Sequence, residues 1–258
     1  MQSELINTHV DLALISLYVF WVAFAALIYY LVRESRREGF PLLNEVRGEL
    51  VVRNPMTPPP PKSFLTLHHG RIVPETPERD LTGLLSPLGL LPGAPLQPLG
   101  NPMADGVGPA SYALRADVSD MTFDDNTPKI VPLRTAPAYS IAAEDPNPVG
   151  FAVITADGRV AGTVVDAWVD RSDMLIRYLE ADAEGTTGQR RIVFPMFLAT
   201  IDRNRREVNV VSVMSHQFLE APGLQNPDTI TLREEDRISG YFAGGHMYAT
   251  PSRFGPVV

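Results

Sequence analysis

From Leu12 to Val32 the chain carries no charged residue (LALISLYVFWVAFAALIYYLV), and Arg33, Arg36 and Arg37 follow at once. At about 1.5 Å of rise per residue, a helix of that length spans the roughly 30 Å hydrocarbon core of a bilayer. The segment constrains the fold more than any other. A surface helix of a water-soluble domain keeps a polar stripe, and this one has none. Tyr29 and Tyr30 stand where an interfacial aromatic belt forms.

A cleaved signal peptide has the opposite design, with a positive N-terminal region, a shorter apolar core and a small-residue cleavage site. Residues 1 to 11 contain Glu4 and Asp11 but no lysine or arginine. The positive-inside rule therefore predicts a single pass over 12–32, with residues 1–11 outside and everything from Arg33 onward in the cytoplasm. Arg33, Arg36 and Arg37 are the candidate contacts to anionic lipid head groups, an attraction diluted by Glu34 and Glu38.

Composition narrows the rest. The chain has 258 residues and a formal net charge of −8. Apart from the juxtamembrane arginines nothing basic is clustered, so a nucleic-acid role has no electrostatic footprint. With no cysteine there is neither a disulfide nor a thiolate metal site, which suits a reducing cytoplasm.

Of 24 prolines, 19 fall between Pro41 and Pro148. Each removes an amide donor and fixes φ, so the stretch predicts neither long helices nor central strands. Its apolar content, Phe64, Leu65, Leu67, Leu84, Leu85, Leu88, Leu90 and Leu91 among others, argues against simple disorder. Residues 33–140 are thus expected to wrap a partner at the membrane surface.

From Gly150 the pattern changes to short strands with turn signals. Phe151 to Thr155 and Val160 to Val169 flank Ala156-Asp157-Gly158, a good hairpin turn. Met174 to Ala181, Arg190 to Phe194 and Val208 to Val213 predict three more strands. A small antiparallel barrel over 141–258 is the economical fold. Along the second strand Val165, Ala167 and Val169 form an apolar face, and Asp166, Trp168 and Asp170 alternate with them. Thr231-Leu232-Arg233-Glu234 has the form of a capping box, predicting a helix to about Phe242 that stops at Gly244-Gly245.

Six stretches together carry a resemblance: DLALISLYVFWVAFAALIYYLVRESRREGFPL from Asp11, PKSFLTLHHG from Pro61, GNPMADGVGPASY from Gly100, KIVPL from Lys129, AGTVVDAWVDRSDMLIRYLE from Ala161, and TLREEDRISGYFAGGHMYATP from Thr231. In order and spacing the chain resembles, over nearly its whole length, the H subunits of purple bacterial photosynthetic reaction centres. The fold implied is one N-terminal membrane helix, a mainly-β cytoplasmic domain with a small PRC-type barrel, and a C-terminal helix. The role implied is not enzymatic. Such a subunit caps and stabilises the L and M subunits and helps carry protons from the cytoplasm to the secondary quinone. It binds no cofactor of its own; bacteriochlorophyll, bacteriopheophytin, quinones and a non-haem iron belong to its partners. The location implied is the bacterial inner, intracytoplasmic membrane, among phospholipids and with an antenna ring and a cytochrome subunit as further neighbours.

Proton delivery needs ionisable groups within hydrogen-bond reach, directly or through water. The resemblance places a relay residue at Asp173, where the family usually has a glutamate, one methylene longer. Asp170 and Arg177 match family positions beside it. Asp124 and Asp125 precede KIVPL, where some members carry an aspartate and metal-binding histidines; the histidines are missing here, and two adjacent carboxylates do not support a metal. They are surface proton gatherers or a polar turn. His68, with His69, is a further relay candidate or an exposed pair. Glu234, Glu235 and Asp236 are most simply partners for a helix dipole. Trp21 is a packing or interfacial residue.

An enzyme would need a nucleophile–base constellation or a metal set, and the sequence has no GxSxG, HExxH or phosphate-cradling glycine loop. A membrane-anchored PRC-barrel interaction module unrelated to photosynthesis is the alternative. It accounts for barrel and anchor but not for the matching proline-rich segments.

Overall fold

The computed structural model describes residues 12–38, 40, 43–44, 49–50, 59–68, 70–73, 77, 79–89, 94–185 and 188–254. The chain divides into two compact units, Met1–Pro74 with Leu91–Gly93, and Glu75–Leu90 with Ala94–Val258. Residues 1–11, placed outside the membrane by the charge pattern, and His69 lie outside the described residues.

In the first unit the uncharged stretch forms helix α1, Leu12–Glu34, about 34 Å long at 1.5 Å per residue. Every side chain from Ala13 to Val32 is exposed, and the helix is long and apolar enough to cross a membrane. Its end is fixed by charge. The Arg37 guanidinium donates through Nε to Glu34 Oε2 at 2.7 Å and through Nη2 to Oε1 at 2.9 Å. Arg37 Nη1 also reaches the Pro60 carbonyl at 2.6 Å, and Lys62 Nζ lies 3.5 Å from Glu34. The returning chain is thereby tied to the turn that leaves the helix. A short hairpin follows, Phe64–Thr66 paired with Gly70–Ile72.

The second unit is built on one seven-stranded sheet: β1 (Ile130–Pro132), β2 (Ala152–Thr155), β3 (Val160–Asp170), β4 (Leu175–Gly185), β5 (Gly188–Pro195), β6 (Thr200–Asp202) and β7 (Glu207–Val210). The order is β5-β4-β3-β2-β7-β6, with β1 on the free part of β3. All pairs are antiparallel except β7 with β2. The five strands expected from the sequence are present. β1 and β6, at three residues each, are too short to show a period. Helices α2 (Ser215–Glu220) and α3 (Leu232–Tyr248) close the core, where Phe194, Phe218 and Phe242 meet with ring centroids 5.5 to 6.2 Å apart.

Two expectations need correction. β3 does not alternate cleanly: Asp166 pairs with Glu180 and Val164 with Ala181, so Val165 is an extra residue at a bulge. Val164 is buried in its place, and the face carrying Trp168 and Asp170 is covered too, both residues being fully buried. Helix α3 does not stop at Gly244-Gly245 but runs through to Tyr248. Those glycines serve close approach. A Cβ at 244 would lie 2.4 Å from Ala110 Cβ, and one at 245 would lie 2.4 Å from the Ser212 carbonyl oxygen.

The β2–β3 turn carries a pH-dependent lock. Gly158 adopts φ +71°, as the turn requires. Asp157 accepts hydrogen bonds from Thr155 Oγ1 at 2.6 Å and from Ser215 Oγ, at the start of α2, at 2.8 Å. Partial burial opposes the ionised carboxyl, but the two hydroxyls outweigh it and bring the Asp157 pKa down to about 2. A depressed carboxyl stabilises the fold above its ordinary value near 3.8, and that contribution vanishes as pH falls through about 2. Asp157→Asn is expected to cost about 2 kcal/mol at neutral pH, with the two unfolding curves converging by about pH 2 in a denaturant titration.

Candidate proton-handling site

The β3–β4 hairpin ends in Asp170-Arg171-Ser172-Asp173, with Met174 at φ +54° closing the turn. Asp170 shapes it. Its Oδ1 accepts from the backbone N–H groups of Ser172 at 3.0 Å and Asp173 at 3.1 Å. Its Oδ2 accepts from Arg177 Nε at 3.1 Å and faces Lys129 Nζ at 3.6 Å. Burial pushes the Asp170 carboxyl up. The Asp173 amide, Arg177, Lys129 and the Ser172 amide outweigh that and hold it below the usual carboxylate range.

Asp173 has a different environment. Its side chain is 47% exposed against 1% for Asp170, and its Oδ2 accepts from Arg177 Nη2 at 2.7 Å. One guanidinium thus joins an accessible carboxylate to a buried one. The structure brings Asp170, Asp173 and Arg177 together as the sequence suggested, and adds Lys129.

Glu235, on the first turn of α3, is the carboxylate that sequence reasoning placed among dipole partners. Glu234 does cap: its carboxylate accepts from the backbone N–H of Thr231 at 2.9 Å and of Gln225 at 2.6 Å. Asp236 pairs with Arg115 at 3.1 Å. Glu235 instead turns to the sheet and accepts from Tyr178 Oη at 3.1 Å. Burial pushes its carboxyl above the usual range, with the Asp120 charge adding to the effect and Tyr178, Arg115 and Arg177 opposing it. The signal was present in the sequence: Glu235, Ile238 and Phe242 lie on one helical stripe, and the last two are core residues.

Asp124 and Asp125 lie on an exposed turn. Asp125 Oδ1 accepts from the hydroxyls of Thr122 and Thr127, the second at 2.8 Å, and these hold its carboxyl below the ordinary range. Arg171 fastens this turn to the hairpin tip, donating through Nε to the Pro128 carbonyl at 3.0 Å and through Nη2 to Thr127 Oγ1. Among the described residues no group of three or more His, Asp and Glu side chains is placed to hold a metal ion. His68 is exposed in the hairpin of the first compact unit. Arg33 is half-buried there, Arg36 lies over the Phe40 ring at 5.2 Å, and Arg37 is engaged by Glu34.

A second carboxylate, Glu180 on β4, was not anticipated. Its side chain is 3% exposed, and it accepts from Trp168 Nε1 at 3.0 Å, Arg134 Nη1 at 2.6 Å and Arg191 Nη1 at 3.1 Å. Asp166 and Asp170 share a face, as strand alternation predicts, but Asp166 serves this network, 3.0 Å from Arg134 Nη1.

A single apolar span and a mixed, mainly antiparallel sheet closed by a C-terminal helix define the class. Residues 142–214 match the PRC-barrel domain. Residues 4–135, just over half of the chain, match the N-terminal region of the photosynthetic reaction centre H-chain. The chain belongs to the photosynthetic reaction centre H-chain family. Membership makes it a membrane-associated structural subunit that assembles with other reaction-centre subunits.

Proposed function

We propose that this chain caps the pigment-binding L and M subunits on the cytoplasmic side and conducts protons to the secondary quinone. The observation that carries the conduit is the hairpin tip, where exposed Asp173 and buried Asp170 share Arg177. An accessible acid linked to an interior ion pair is an arrangement that takes protons from solvent and passes them inward. Glu235 on α3 adds a further carboxylate, which accepts from Tyr178 Oη on β4 at 3.1 Å. Capping is supported by Phe64, Leu65 and Leu67, which are 50%, 83% and 67% exposed in the proline-rich segment and require a partner surface. The charge pattern favours the bulk of the chain in the cytoplasm, with Arg33 the arginine open to phospholipid phosphates; Arg36 is 8% exposed, and Arg37 is engaged by Glu34 and the Pro60 carbonyl. The pigments, quinones and non-haem iron are those of the partner subunits.

Asp173→Asn in the assembled complex is expected to slow the second, proton-coupled electron transfer to the quinone by about tenfold while leaving assembly intact. Flash-induced kinetics at wild-type rate would remove Asp173 from the path.

A further inference from the structure

We propose that the second compact unit binds one acyl chain of a lipid with an ammonium head group, such as phosphatidylcholine. The site is a cavity walled by β3, β4 and the segment 138–148. This inference does not depend on the proton-conduit reading.

The cavity has a volume of about 780 Å³. Small-ligand sites run from roughly 300 to 1,000 Å³. Its floor is apolar: Ala167 and Val169 on β3 and Leu179 on β4 are buried, and Ile176 and Met196 are half-buried beside them. Ala167 pairs directly with Leu179, and its single methyl leaves the room that a larger residue would fill. Strand alternation puts Trp168 and Asp170 on the other side of β3, so the cavity is separate from the Glu180 and Asp170 networks.

Met174 and Leu175 stand at the rim, 71% and 42% exposed. Met174 holds φ +54°, where a glycine would sit with less strain. A long apolar side chain kept in that position extends the apolar wall outward, which suits a ligand longer than the cavity. Helix α1 keeps the protein among lipids, the nearest source of such a chain.

The segment 138–148 selects the head group. It brings half-buried Tyr139 and exposed Asp145 to the cavity, and among the described residues neither the Tyr139 hydroxyl nor the Asp145 carboxylate has a side-chain partner. No lysine, arginine or histidine among the described residues lines the cavity. A carboxylate without a counter-ion attracts an ammonium and repels an anionic head group. The face of a tyrosine ring adds cation–π attraction for the same ammonium.

The test uses the whole reaction-centre complex in vesicles of phosphatidylcholine or of phosphatidylglycerol, each with a diazirine at the end of one acyl chain. After photolysis, peptide mass spectrometry locates the label on this chain. Phosphatidylcholine is expected to label 138–148 and 167–179, and phosphatidylglycerol about fivefold less. Ala167→Leu fills the floor and should remove the label. Should that variant fail to assemble, as judged by pigment absorption, the surface change Asp145→Lys still decides. It should lower labelling by phosphatidylcholine about fivefold and raise labelling by phosphatidylglycerol. Unlabelled cavity peptides in the wild type, as follows if a segment of a partner subunit fills the cavity, overturn the proposal. So does equal labelling by the two lipids, or labelling that Asp145→Lys leaves unchanged.

Discussion

Glu180→Ala is expected to destabilise the folded protein by about 3–5 kcal/mol, the cost of breaking a buried charge network by removing one partner. Glu180 lies on the covered face of the sheet and satisfies three donors with two oxygens: Trp168 Nε1 and Arg134 Nη1 on Oε2, and Arg191 Nη1 on Oε1. Without the carboxylate the buried indole N–H has no acceptor. Arg134 is the more consequential loss. It also donates to Asp166, to Asp228 and to the Pro227 carbonyl, so it ties the chain after β1, the sheet and the turn before α3 into one unit. Glu180→Gln keeps an acceptor for Trp168 and should cost distinctly less. Denaturant unfolding of the purified chain in detergent measures both. A loss below about 1 kcal/mol for the alanine variant would show that the network orders the region without stabilising it.

Gly245→Val should cost about 3 kcal/mol even though it replaces a poor helix former inside α3. A Cβ there would lie 2.4 Å from the Ser212 carbonyl oxygen and 2.8 Å from Val213 Cγ1, and the first of these is backbone that cannot rotate away. The helix would have to lift from the segment after β7. That segment also holds Arg253, whose Nη1 donates to the carbonyls of Ser212 and Gly245 at 2.7 and 2.8 Å. Because propensity and packing predict opposite signs, the variant discriminates between them. An unfolding midpoint at or above wild type would mean that the glycine is not there for close approach.

These two sites also mark what the sequence could and could not show. Helix α1, the β2–β3 hairpin and the capping box at Thr231 depend on residues close in the chain, so periodicity and turn chemistry suffice to place them. Asp170, Asp173 and Arg177 were singled out by the family resemblance alone; that they meet follows from their all belonging to one hairpin. Glu180 was not, because its partners Arg134 and Trp168 come from other strands or the chain leading to them, and nothing in a run of alternating residues distinguishes a buried, paired glutamate from a solvated one. Glu235 differs from Glu234 and Asp236 only by its angle around α3. Gly244 and Gly245 have the form of a stop signal until the backbone of Ala110 and Ser212 is seen against them. The bulge at Val165 shifts the pattern of β3 by one residue, which a strict period of two cannot anticipate.

The central claim is that this chain caps a pigment-bearing core and serves its quinone chemistry. The most direct measurement is the near-infrared absorption spectrum of the complex that co-purifies with the chain in mild detergent, with its polypeptides identified. Bacteriochlorophyll and bacteriopheophytin bands that bleach reversibly in light, together with two larger membrane subunits, are the predicted result. A colourless preparation without such partners would contradict it.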